Sequence, residues 1–154
     1  MISKVERAEA SPTAALLGRL SGAFGLTLST LLARAEGETG QLRRHAAQPV
    51  WIDPATGYRR RQVSPHLSPA ADNPLDLTEV ELPAGAAISY PAASYAFMRQ
   101  TIWMLDGTLT FQEGEATHVL EAGDCLALGA PADCTFANRG ERPCRYLVAV
   151  VRQR

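Results

Sequence analysis

The sequence predicts a mainly β protein, a sandwich or barrel of short strands behind a short helical front. Two observations carry the prediction. From Trp51 onward apolar residues recur with period two in short, evenly spaced segments, and Gly, Pro, Asp or Glu punctuate almost every gap. No helical stretch separates these segments, and no proline falls inside them, as suits paired strands.

Taken in order, Ser11-Pro12 signals a helix start: the serine hydroxyl accepts from free N–H groups of the first turn, and proline fits the first helical position. Leu16, Leu17, Leu20 and Phe24 then recur at helical spacing, and Gly25 is placed to end the helix. Thr27 is placed to cap a second short helix carrying Leu28, Leu31 and Leu32. Residues 36–50 show no apolar period and read as a linker, which divides the chain into 1–35, 36–50 and 51–154. Asp53-Pro54-Ala55-Thr56-Gly57 is a turn, 64–74 a loop rich in Pro and Ser, and Leu75 to Leu82 alternates apolar with acidic residues. Strands are expected at 86–90, 96–105, 108–112, 116–120, 125–128, 134–138 and 145–151.

Composition narrows the class. A chain of 154 residues with 46% apolar content supports one ordinary core and is too apolar for a disordered chain. It has no apolar run of 18 residues, hence no expected membrane span, and Met1 to Glu6 does not read as a signal segment. Cys125, Cys134 and Cys144 are odd in number and form no CxxC pair; they are expected to be reduced, buried thiols of a cytoplasmic protein. The net charge of −1 is unevenly spread. Residues 1–61 carry nine basic against five acidic side chains, and 62–154 carry six against eleven. A nucleic-acid contact is therefore permitted only at the front, and on charge alone its arginines read as a solvated surface.

Gly123, Gly129, Pro131, Cys134 and Asn138 keep the spacing of a known motif, with Gly129 and Pro131 exchanged and Cys134 in place of a His. The pattern resembles the second motif of the cupin superfamily, and Gln100-x6-Gly107 resembles the tail of the first. The resemblance covers roughly residues 76–151 and implies a double-stranded β-helix, or jelly-roll barrel. Metal-binding cupins use two His, a Glu and a third His; here those positions hold Ser94 and Ala96 (or Ala93 and Tyr95), Gln100 and Cys134. Such a set lacks converging donors, so neither metal nor cofactor is expected. The motif turns Gln100 inward, and alternation puts Ile102 and Met104 beside it, with Cys134 and Phe136 facing them and Tyr90 and Tyr95 at the rim. These residues are expected to form a mostly apolar effector pocket with one amide and one thiol, or else a simply packed core.

Ile2-Ser3-Lys4-Val5-Glu6-Arg7, followed by Ser11-Pro12-Thr13 and the Leu-rich helix, resembles the second half of a lambda-repressor/Cro-like (XRE) helix-turn-helix domain. The resemblance implies two further helices and the start of the recognition helix ahead of Ile2. Met1 is accordingly expected to be an internal methionine of a longer natural protein. Ser3, Lys4 and Arg7 would touch DNA phosphates. Together the two resemblances imply a transcriptional regulator, not an enzyme, whose cupin senses a small-molecule effector and which binds DNA as a homodimer. The alternatives are a cupin-fold enzyme (isomerase or dioxygenase) and a stand-alone ligand-binding cupin.

Overall fold

The structure, a computed structural model, describes residues 12–33, 40–65 and 74–153. Ser3, Lys4 and Arg7, expected at DNA, lie outside the described residues, as does Ser11.

Helix α1 spans Ala14–Phe24. Its cap is Thr13, whose hydroxyl accepts from Leu16 N at 3.3 Å, rather than the expected Ser11. Asp53 completes the cap from a distant turn by accepting from Ala14 N at 3.1 Å. Gly25, at φ 60°, terminates the helix, where Gly25 N donates to Gly22 O and Leu26 N to Ser21 O. The buried face is Ala14, Leu16, Leu17, Gly18 and Ser21, while Phe24 is 66% exposed. The expected apolar face was therefore partly wrong. The helix turns its small residues to the barrel because the barrel demands close approach, and that demand outweighs burial of Phe24. Helix α2 (Leu28–Ala33) follows directly.

Among the described residues, ten strands form two antiparallel sheets. The first contains β1 (Val50–Ile52), β2 (Arg59–Gln62), β3 (Leu75–Leu82), β5 (Met98–Asp106), β8 (Cys125–Ala127) and β10 (Cys144–Arg152), in the order β1-β2-β3-β10-β5-β8. The second contains β4 (Ala87–Tyr90), β6 (Thr108–Glu113), β7 (Ala116–Glu121) and β9 (Cys134–Ala137), in the order β4-β9-β6-β7. Alternation sets the inner faces: Thr78, Val80 and Leu82 on β3, Ile102 and Met104 on β5, and Cys144, Tyr146, Val148 and Val150 on β10 are buried. Phe136 joins the two sheets, stacked on Tyr146 at 5.9 Å and packed on Phe111 at 4.8 Å between ring centroids.

Two local departures from expectation have physical causes. Residues 92–95 form a 3-10 turn rather than running into a strand, so β5 begins at Met98 instead of residue 96. Ser94 Oγ donates to Gly18 O at 2.9 Å, which ties this turn to α1. Cys125 is exposed, contrary to the expectation of three buried thiols, because it faces outward on the edge strand β8. Cys134 and Cys144 are buried, and burial first of all pushes each thiol up to about 11. The thiolate is the reactive form. At pH 7.5 a thiol reagent such as iodoacetamide is therefore expected to label one cysteine quickly in the folded protein and all three after denaturation. Rapid labelling of Cys134 or Cys144 in the folded state would contradict this packing.

Candidate functional site

A cavity of about 60 Å³ lies between the helical segment and the larger sheet. The helical segment supplies part of its wall through Gly18 and Ser21 of α1, Thr27 between the helices, and Leu28 of α2. Tyr58, Arg60 and Val80 come from the β2–β3 side, Met98 and Gln100 from β5, and Tyr146, Val148 and Val150 from β10. Phe136, Tyr90 and Tyr95 close it from the other side. At about 15 Å³ per water, this space holds roughly four waters.

Of the six side chains expected at an effector, Gln100, Tyr95 and Phe136 line this cavity. Ile102, Met104 and Cys134 do not; they are buried in the core next to it. The reason lies in depth along the barrel. Strand β5 runs inward from Met98 at the helix-covered mouth, so Gln100 reaches the cavity while Ile102 and Met104 lie in successive layers of packed core. Cys134 Sγ is directed to Ala132 O at 3.4 Å. Tyr90 and Tyr95 are not rim residues: Tyr95 is buried and the Tyr90 hydroxyl is out of contact with solvent.

Arg60 was missed. It stands in the run Arg59-Arg60-Arg61, which reads locally as solvated surface, yet it is 9% exposed. The register of β2 on β3 decides this: Arg59 and Arg61 face outward and pair with Glu81 and Glu79 at 3.8 and 4.0 Å, and Arg60 points inward between them. The period-two pattern of Tyr58, Arg60 and Gln62 was the available signal, since all three are buried. Inside, one terminal nitrogen of Arg60 donates to the Tyr58 hydroxyl at 3.4 Å, and the other to Thr78 Oγ1 at 3.1 Å and to Ser29 Oγ of α2. A chain of side chains continues from Thr78 through Gln62 to Asp76, which also accepts from Thr27 and Ser64. Among the described residues, no carboxylate lies within 4.0 Å of Arg60, and its Nε–H has no partner. The Tyr90 hydroxyl also meets no partner at strict hydrogen-bonding geometry, although the Tyr58 phenol lies near enough to help raise its pKa.

Burial penalises the charge of Arg60, but the adjacent Tyr58 and then Asp76 hold its pKa above the ordinary value. Burial, reinforced by Tyr58, pushes the Tyr90 and Tyr146 phenols well up. Burial and then Cys134 push Tyr95 up. The cavity therefore contains a fixed cation, neutral phenols and the Gln100 amide.

The positions that hold metal in metal-binding cupins do not fit an ion here. Ser94 is committed to Gly18 O, Cys134 to Ala132 O, and Ala96 has no donor side chain. Among the described residues no cluster of three His, Cys, Asp or Glu side chains is placed to hold one. Asn138, which closes the second motif, is structural: its amide donates to Leu82 O and Arg142 O at 3.0 and 2.8 Å.

Two facing antiparallel sheets with a cavity beside the helical segment define a small β-barrel. Residues 78–150 match the family model of the cupin domain, and this stretch of the chain is a cupin domain. No curated protein matches the sequence. Among solved structures, an HTH_3 family transcriptional regulator from Vibrio cholerae aligns over 100% of this chain and 80% of its own, with TM-score 0.78 and 19% identity. A cupin-superfamily sugar phosphate isomerase from Silicibacter pomeroyi aligns over 73% of this chain and 76% of its own (TM-score 0.57, 18% identity). A predicted oxalate decarboxylase from Thermotoga maritima aligns over 72% and 98% (TM-score 0.57, 14% identity). At these identities the likeness is one of fold. Among the described residues no helix is long and apolar enough to cross a membrane.

Proposed function

We propose that this chain is the effector-sensing part of a cytoplasmic transcriptional regulator, acting as a homodimer on DNA, and that it is not an enzyme. The observation that carries this reading is the shared wall of the cavity. Helices α1 and α2, with Thr27 between them, contribute four of its lining residues, so a bound ligand would touch the segment that leads toward the residues resembling a helix-turn-helix domain. The regulator from Vibrio cholerae supports it, because its likeness extends over the helical segment as well as the barrel.

The lining chemistry favours sensing over catalysis. A proton-transfer enzyme needs a group that titrates near its working pH. The cavity has no His, Asp, Glu, Lys or Cys in its wall, and three of its four tyrosines have raised pKa values.

The reading is tested by hydrogen exchange on the protein with and without a ligand that occupies the cavity, alongside titration of DNA flanking its own gene. Ligand is expected to change exchange over 14–33 and to alter DNA affinity by at least fivefold, while being recovered chemically unchanged. Turnover of the ligand, or occupancy without any effect on the helices and on DNA, would sink the reading.

A further inference from the structure

We infer that the cavity binds a small organic monoanion through its carboxylate, which sits on the Nε–H of Arg60 and the hydroxyl of Tyr90. The inference rests on the sensor reading for its purpose but on separate observations for its chemistry. A buried guanidinium is costly unless an anion and hydrogen bonds compensate it. Here its terminal nitrogens are bonded to hydroxyls, and no carboxylate approaches within 4.0 Å among the described residues. Asp76 supports the charge only at a distance, through Thr78 and Gln62, and its own oxygens are occupied by Thr27, Gln62 and Ser64. Two donors are left over, Arg60 Nε and Tyr90 Oη, both sealed from solvent, and both residues line the same cavity. An unpartnered cationic donor beside an unpartnered hydroxyl is the complement of one oxyanion, since charge-assisted bonds of this kind are the strong ones.

The rest of the wall sets the body of the ligand. Val80, Ile88, Met98, Val148 and Val150 are apolar, and the Gln100 amide adds one neutral polar group to the lining. A cavity of about 60 Å³ takes a molecule of roughly four to six non-hydrogen atoms, by comparison with about 15 Å³ per water. A short aliphatic monocarboxylate fits in charge and size. Because Ser29 of α2 accepts from Arg60, an anion that draws the guanidinium toward it acts directly on that helix.

The test is calorimetric titration of the protein with propionate and butyrate, and with their neutral isosteres propionamide and butyramide, at matched ionic strength. The acids are expected to bind saturably and at least tenfold tighter than the amides. Arg60→Met should lose at least tenfold in butyrate affinity, and Tyr90→Phe about threefold to tenfold. Should Arg60→Met fail to fold, the comparison of acid with amide and the Tyr90→Phe variant still decide. Equal binding of acid and amide would overturn the inference while leaving a neutral-ligand sensor standing. Absence of binding by either acid at millimolar concentration would overturn it as well. Butyrate that binds through Arg60 but leaves exchange over 14–33 unchanged would uphold the inference and remove the sensor reading.

Discussion

Replacing Gly107 by alanine is expected to cost about 2–5 kcal/mol, the sum of a strained backbone and an overpacked contact. Gly107 turns β5 into β6 at φ 76°, a left-handed conformation that a Cβ disfavours. An added Cβ would also lie 2.9 Å from Cys144 Cβ and 3.0 Å from Cys144 Cα. The obstruction includes main chain of β10, the strand shared by β3 and β5, and cannot swing aside as a flexible side chain would. For a chain of this size a loss of that order lowers Tm by roughly 5–15 °C. Thermal unfolding of Gly107→Ala checks it, and a shift under 2 °C would show that the turn adapts.

Gly18→Val is expected to lift helix α1 from the barrel without unfolding the barrel. A Cβ at position 18 would lie 2.3 and 2.7 Å from the ring atoms Cδ1 and Cε1 of Tyr90. The ring cannot retreat easily, because it packs edge-on against Phe136 at 6.1 Å and its hydroxyl is buried. Valine gains a few tenths of a kcal/mol in helix propensity over glycine, against about 1–3 kcal/mol for overpacking. Loss of the bond from Ser94 Oγ to Gly18 O adds about 1 kcal/mol. The clash wins. Hydrogen exchange should show protection of 14–24 falling at least tenfold while β3, β5 and β10 remain protected. Unchanged protection of α1 would mean that Tyr90 has another place to go, and would weaken the role of the helix as a cover for the cavity.

The strands were legible because their signal is local. In 75–82 and 144–152 alternate residues go to water and core, and that period is written in the chain itself. Turn residues added the boundaries: Gly25, Gly57, Gly85, Gly107 and Gly123 all adopt positive φ. The resemblance to the cupin motifs, with strand alternation, turned Gln100 and Phe136 inward, and both line the cavity. The helix ends were read less well. Ser11-Pro12 promised a cap, but Thr13 supplied it together with Asp53, a partner 39 residues from Ala14 that no local pattern reveals.

By itself the sequence determined the fold class, the barrel that holds the site, and the mismatch between the motif's metal positions and a metal-binding set. Only the tertiary structure decided that Arg60 is inside. An arginine between two arginines carries no local sign of burial; the pairing of Arg59 and Arg61 with Glu81 and Glu79 turns it inward, where Ser29 and Thr78 meet it. The depth of the cavity was settled in the same way. Period two says which face of β5 is inside, but it does not say how far in the helical cover reaches. That depends on the close approach of Gly18 to Tyr90 across more than seventy residues of chain, a contact specified by the shapes of both surfaces rather than by either segment alone.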